Sequence, residues 1–391
     1  MQTGASEARI SDLQVLRAVA VLAVAVTHLR GFLLPGDLPF FGRLHAYFSG
    51  SPGVDLFMVI SGFIIARRLI PEIIGAQPGA FWPVVAHFWA RRAVRLLPAA
   101  WCWLALTLAL AIGFNASGAF GAFSANLSWA VKAVLLAANF QYVGVPDPSA
   151  LGALSHYWSL SLEEQFYLAL PFVLLAAAAR PATVLVGLVL LQCLPLPGLE
   201  LYWVPFRFTP LLLGVLLGLG QVRGGLAHLA PTFLAARRGW GFLALLLGSG
   251  CLVTLLGSSL QFVSAREANF LAAWCSLLLV WLASYDLKLF SVQPWVDRLL
   301  VGLGDRSYAL YLCHMPTYCL CRELLHRFGG DLAPRSEAHV ATALVLAVAL
   351  LAAFTELTHR LIERRWQRAW APGLAELGAR KQAALRPSAG G

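Results

Sequence analysis

Arg17 and His28 stand eleven positions apart inside an apolar stretch, Leu13 to Leu34, where a membrane helix should carry neither. Eleven steps of about 100° return to within about 20° of the starting direction, so the two side chains share one helix face, about 16 Å apart along the axis. Burying a cation in hydrocarbon is expensive, and an intramembrane Arg aligned with an ionisable imidazole therefore reads as a lined pathway or a site. The plainer reading is a snorkelling Arg and a His bonded to a backbone carbonyl, but Arg17 lies deep for easy snorkelling.

Other residue sets carry chemistry of their own. In Arg91-Arg92-Ala93-Val94-Arg95, Arg92 and Arg95 fall one helical turn apart, and two guanidiniums on one face make a phosphate clamp. A nucleotide-bearing cofactor such as coenzyme A, arriving from the cytoplasm, would need one; anchoring of a span by cytoplasmic Arg explains the same residues. The block Trp158-Ser159-Leu160-Ser161-Leu162-Glu163-Glu164-Gln165-Phe166-Tyr167 opens an otherwise apolar helix with two adjacent carboxylates. Ser159 with Glu163, or Ser161 with Glu164, resembles capping chemistry. Alternatively, one carboxylate orients His28 and raises its basicity as a general base; neighbours on a helix diverge by about 100°, so only one of the pair faces such a site. Asp55, in the run Gly53 to Phe63 that also holds Ser61, begins the second apolar stretch near the depth of His28 or caps it. His314, in the run Gly304 to His314 with Tyr308, is a second intramembrane histidine, open to core hydrogen bonding or to function. Arg207, between two Phe residues, enters a span where it either meets a polar acceptor or snorkels.

The elements that must position these groups are transmembrane helices. Of 391 residues, 59% are hydrophobic and only 12% charged, too little polar surface for a soluble protein, so the chain reads as an all-α polytopic bundle. The formal charge of +10 would suggest nucleic acid in a soluble domain, but the Arg residues sit at the ends of apolar runs, which excludes that reading in favour of membrane orientation. Seven cysteines, with only Cys319 and Cys321 close, match no common zinc spacing, and neither a metal nor a disulfide is assigned. The first run is too long for a cleaved signal peptide and is read as a span. Candidate spans are 13–34, 54–70, 96–114, 127–143, 157–178, 182–197, 207–222, 240–257, 269–285, 299–321 and 338–360. If 127–143 does not cross, most of the 29 Lys and Arg fall on the cytoplasmic side; if it does, every later loop flips and the asymmetry reverses. The expectation is ten spans with both termini cytoplasmic, and 127–143, with Asn126, Lys132 and Asn139, as an outer-face or re-entrant helix packed on protein. Residues 1–371 form one domain without repeats, and 372–391 a flexible cytoplasmic tail.

Taken together and in this order, Arg17-x10-His28, the S-G-F stretch at Ser61, the R-x-x-R of Arg92 and Arg95, the W-S-L-S-L-E-E-Q-F-Y block and the S-Y-x-L-Y-x-x-H of Ser307 to His314 resemble the acyltransferase-3 family of bacterial membrane O-acyltransferases, from about Arg9 to about Arg365. The resemblance implies transfer of an acetyl or longer acyl group from cytoplasmic acyl-CoA to a hydroxyl. The acceptor is usually a sugar of a surface or exported polysaccharide, and in some members a macrolide. It implies His28 as catalytic base and Arg17, Arg92 and Arg95, with Arg91 beside them, as donor-binding residues. Met58 stands where the family usually has a second Phe, a neutral exchange. Direct transfer, without a hydrolase-like extracellular relay domain, is the simpler expectation.

The expected partners are acyl-CoA, a carbohydrate acceptor and the lipid bilayer of the bacterial cytoplasmic membrane. Catalysis is expected from His28 with Glu163 or Glu164, and substrate contacts from Asp55, Ser61, Trp158, Ser159, Arg207, Tyr308 and His314. A proton-coupled carrier of a sugar or organic anion would also use intramembrane Arg, His and Glu, but shows no inverted repeat to support it. A non-enzymatic partner of a polysaccharide export machine ranks below both, since it gives those polar groups no task.

Overall fold

Backbone buried in hydrocarbon must bond to itself, and apolar runs of this length do so as helices. Every regular element among the described residues is helical. The computed structural model describes residues 10–33, 49–74, 79–142, 152–194, 206–236, 239–259, 265–329 and 337–385. The helices are α1 (Ser11–Phe32), α2 (Pro52–Ile74), α3 (Phe81–Gly113), α4 (Phe123–Val134), α5 (Tyr157–Ala176), α6 (Pro181–Cys193), α7 (Thr209–Val222), the single turn α8 (Thr232–Ala235), α9 (Trp240–Ser259), α10 (Ala265–Ala283), α11 (Pro294–Asp305), α12 (Ser307–Phe328), α13 (Glu337–Leu357) and α14 (Arg364–Leu385).

α2 is the axis of the bundle. Its residues enter both large apolar clusters, Val54, Met58, Ile65 and Leu69 on one side and Leu56, Val59, Ile60 and Phe63 on the other. Its closest partner is α7, and the approach depends on glycine. A Cβ on Gly62 would strike the Leu211 carbonyl oxygen, and one on Gly214 would strike that of Val59. The S-G-F stretch thus has a packing reason at Gly62, while Ser61 beside it faces a cavity. α1 packs on α2, α11 and α12.

Large aliphatic side chains at Val184, Val186, Leu190 and Leu191 of α6, Leu246 and Leu247 of α9, and Val345 and Val348 of α13 remain exposed. Such an apolar exterior, over a buried core, suits lipid rather than water, and the chain is a multi-pass membrane protein. Three helical stretches, Ser11–Leu29, Phe81–Gly113 and Ala338–Leu385, are long and apolar enough to cross unaided, and a bent pair, Thr209–Val222 with Ala227–Ala235, adds up to one more.

Several boundaries depart from the sequence expectation. The run 299–321 is not one span: the chain breaks at Arg306, separating the amphipathic α11 from α12. Arg306 turns its guanidinium to Glu356 of α13 at 2.5 and 3.2 Å, an ion pair that ties the junction to its neighbour. α3 begins at Phe81, well before the expected 96. The tail expected to be flexible from Pro372 is instead the continuation of α14 as far as Leu385, packed along α3, with Lys381 paired to Glu72 at 2.6 Å. Its last residues, 386–391, lie outside the described residues.

The segment 127–143 forms the 12-residue α4 and a short 3-10 helix, Ala138–Tyr142. At about 1.5 Å per residue α4 is too short to cross. Its polar residues are bonded to protein: Asn126 donates to Phe120 and Ala122 carbonyls and accepts from Ala153 N–H, Lys132 meets Gln141, and Asn139 and Gln165 exchange amide bonds at 3.1 and 2.9 Å.

Candidate active site

The helices leave a cavity between α1, α2, α3, α5 and α12. Its wall is apolar at Val54, Phe57, Met58, Ile60, Ile64, Leu96 and Leu160, and polar where Arg17, Arg92, Arg95, Glu163 and Tyr167 converge. Arg92 lies over the Tyr167 ring at 4.8 Å, which fixes a planar cation against an aromatic face. Glu163 accepts from the Tyr167 hydroxyl. Arg17, Arg92 and Arg95 form no ion pair among the described residues. Three guanidiniums around one cavity without a paired carboxylate leave a net demand for anionic charge.

Arg92 and Arg95 also line a second cavity, together with Arg67, Arg68, Glu72, His87, Arg91 and Lys381. The two cavities therefore meet at the R-x-x-R pair. The outer one is a basic vestibule and the inner one a mostly apolar chamber, a shape suited to a molecule with a phosphate-rich head and an uncharged arm.

Ser159 and Tyr311, whose hydroxyls are 2.6 Å apart, also line the inner chamber. Tyr311 also donates to the His156 carbonyl at 3.0 Å. One turn further along α12, His314 is 1% exposed; its Nδ1 lies 2.6 Å from the Tyr311 carbonyl and its Nε2 lies 3.1 Å from His28 Nδ1. A carbonyl only accepts, so His314 Nδ1 carries its proton, and in the neutral ring Nε2 is then an acceptor. His28 Nδ1 must donate to it. The proton-free nitrogen of His28 is consequently Nε2, the lone pair a general base requires.

Each residue singled out from sequence has a defined place. Arg17, Arg92, Arg95, Ser61, Ser159, Glu163 and Tyr308 line the inner chamber, Tyr308 also donating to the Leu96 carbonyl at 2.7 Å. Arg91 lines the vestibule instead. Asp55, fully buried, is held by Arg207, so Arg207 meets a polar acceptor; neither lines the chamber. Trp158 packs between two apolar clusters. Glu164 does not line the chamber.

Two expectations fail. Neither carboxylate orients His28: Glu163 lies about 10 Å along α5 from His156, on the level of the guanidiniums, and the partner of His28 is another imidazole. Nor do Ser159 and Ser161 cap α5, which starts at Tyr157; Ser159 bonds Tyr311, and Ser161 accepts from Ala138 N–H at 3.2 Å. Sequence reading missed Tyr311 and His156. Tyr311 stood inside a quoted motif, and His156 stands two places before Trp158; both were legible as polar groups flanking an apolar helix, but nothing in one dimension brought them to His314.

The profile of a family described as an acyltransferase domain matches residues 10–354. The chain is 27% identical over 335 residues to "O-acetyltransferase OatA" of Staphylococcus aureus (strain NCTC 8325 / PS 47), covering 78% of this chain and 50% of that protein. It is 27% identical over 387 residues to "Putative peptidoglycan O-acetyltransferase YrhL" of Bacillus subtilis (strain 168), covering 91% and 54%. Against "Peptidoglycan O-acetyltransferase OatA" of Listeria monocytogenes serovar 1/2a the figures are 28% over 342 residues, 81% and 50%. The chain spans about half the length of these relatives. No solved structure matches.

Proposed function

Since the chain belongs to the acyltransferase-3 family, we propose that it is a membrane O-acyltransferase moving an acyl group, acetyl by analogy with its relatives, from cytoplasmic acyl-CoA to a hydroxyl of a surface glycan. The observation that carries this reading is the set of Arg17, Arg92 and Arg95, without ion pairs, around a chamber whose far end abuts the His28 and His314 pair. The proposed arrangement is ten spans with both ends cytoplasmic, in the bacterial cytoplasmic membrane, so that the basic vestibule opens toward the cell interior. The printed names of two relatives favour peptidoglycan as acceptor; an exported polysaccharide is the wider class.

In this reading the phosphates of the donor rest on Arg91, Arg92 and Arg95 and its arm passes Arg17. The helix positions of Arg17 and His28 are about 16 Å apart, which a pantetheine arm spans. Ser159 and Tyr311 close the chamber and must part for the thioester to meet His28. His28 Nε2 takes the proton of the acceptor hydroxyl as its oxygen attacks the thioester carbonyl. Collapse of the tetrahedral intermediate breaks the C–S bond, and the thiolate leaves with the proton returned by His28. His314 holds His28 in the required tautomer and accepts the Nδ1–H while His28 is an imidazolium.

The test uses purified protein in liposomes with radiolabelled acetyl-CoA and peptidoglycan strands on the opposite side. Wild-type protein consumes thioester and labels the strands, whereas His28→Ala does neither while remaining folded. Normal acylation by His28→Ala removes the assignment, and a carrier would leave the thioester intact.

A further inference from the structure

His156 is a buried imidazole that no structural task accounts for. It occupies the position just before α5, yet its side chain caps nothing. Its ring is 2% exposed, and neither Nδ1 nor Nε2 has a hydrogen-bond partner among the described residues. Among the described residues with an unmet buried side-chain atom, His156 is the one with two, and such atoms carry a desolvation cost that persists where something binds them in the working state.

The surroundings of the ring say where that something sits. The His156 ring centroid is 5.1 Å from that of His314, which is itself 5.0 Å from that of His28. Tyr311, at 5.6 Å, and Tyr157, at 4.8 Å, also flank the ring, and the backbone of Leu312 lies near it. The backbone of His156 is pinned: its carbonyl accepts from the Tyr311 hydroxyl at 3.0 Å and lies 3.3 Å from the Ser159 hydroxyl, which is bonded to Tyr311. The ring is therefore held at the point where chamber and base meet, with its own nitrogens free.

Resting on the O-acyltransferase reading above, we propose that His156 is a catalytic residue whose ring N–H donates to the oxyanion formed when the acceptor oxygen attacks the thioester carbonyl. A neutral imidazole always carries one N–H. The carbonyl π pair moves onto oxygen as the new C–O bond forms, His28 holds the acceptor proton, and expulsion of the thiolate restores the carbonyl. A preorganised donor in a dry site serves such charge far better than water does, and removing one donor of this type lowers kcat by about 10² to 10³-fold.

The experiment measures acetyl transfer from labelled acetyl-CoA to peptidoglycan strands, with thermal unfolding in detergent, for wild type, His156→Phe, His156→Leu and His156→Asn. The two donor-less variants remove an unbonded buried group, so they are expected to unfold no earlier than wild type. They should lose at least about 50-fold in kcat with KM for acetyl-CoA unchanged within about twofold. His156→Asn keeps an N–H and should recover a substantial part of the rate. If either donor-less variant folds and keeps kcat within about threefold of an active wild type, the oxyanion role is overturned while the enzyme assignment stands. Loss of rate that follows loss of folded protein in all three variants, asparagine included, equally overturns it in favour of a packing role. A wild type that consumes no thioester removes both readings.

Discussion

Nε2 of His314 lies 3.1 Å from Nδ1 of His28, and the direction of that hydrogen bond is set by a backbone carbonyl, that of Tyr311, on the far side of His314. The pair therefore works as an orienter and a base, in the place where a carboxylate was expected. His314→Ala should leave donor affinity intact and lower kcat by about 10 to 10²-fold, less than the loss in His28→Ala. Steady-state rates with acetyl-CoA varied check it; equal kcat in His314→Ala and wild type would show that His28 needs no orienter.

The three guanidiniums without an ion pair among the described residues should govern donor binding. Arg17→Ala, Arg92→Ala and Arg95→Ala are each expected to weaken acetyl-CoA binding by about 10-fold or more, with Arg92→Lys recovering only part of it, because a lysine does not reproduce the stacking on Tyr167. Equilibrium binding to the detergent-solubilised protein measures this directly. Affinities unchanged across all three variants would place the donor elsewhere.

Tyr311 and Ser159 are bonded through their hydroxyls in the chamber wall, and in the proposed mechanism this contact closes the way to His28. Tyr311→Phe removes two hydrogen bonds, to Ser159 and to the His156 carbonyl, without removing the ring. The expected outcome is a leak: thioester hydrolysis in the absence of acceptor should rise several-fold relative to transfer, read as free thiol released over time. Hydrolysis at the wild-type rate would mean that these hydroxyls do not hold the chamber shut.

Asp55 is fully buried and its Arg207 partner nearly so. Removing one member strands a charge, so Arg207→Ala should destabilise the fold by about 3–5 kcal/mol, while the double change Asp55→Leu with Arg207→Leu should recover most of that. Thermal unfolding in detergent separates the cases. A double variant as unstable as the single one would show that the charges do more than neutralise each other.

At the α2 and α7 crossing, Gly62→Val and Gly214→Val each place carbon against a carbonyl oxygen of the facing helix. Helix separation of this kind typically costs about 1–3 kcal/mol, and here it should also reduce acylation, because α2 carries the chamber wall at Phe57, Met58 and Ser61. Gly187→Ala, where nothing lies within 4 Å, is the control that should change neither.

Much of this molecule was legible in one dimension. The helical class and the membrane setting follow from apolar runs and scarce charge, because hydrocarbon admits few other backbones. Spacing paired Arg92 with Arg95 and aligned Arg17 with His28, while the grouping of Arg17 with the other two arginines was implied by the family resemblance. Boundaries were less readable where two helices abut: Gly302 and Gly304 precede the break at Arg306, but membrane helices tolerate glycine, and what turns the chain there is the pull of Glu356 on Arg306 from another helix. The C-terminal stretch resembled a tail because Ala, Arg and Gly say little about packing, and it became a helix by lying along α3.

What the chain alone determined is an all-helical membrane body with a basic set of groups and an imidazole on one face of its first helix, because periodicity and the cost of buried charge are local properties. What only the tertiary structure decided is the company those groups keep. Glu163 went to the arginines and His28 went to His314, with His156 beside it, because contact among α1, α5 and α12 depends on helix rotation and glycine-mediated spacing that no single segment encodes.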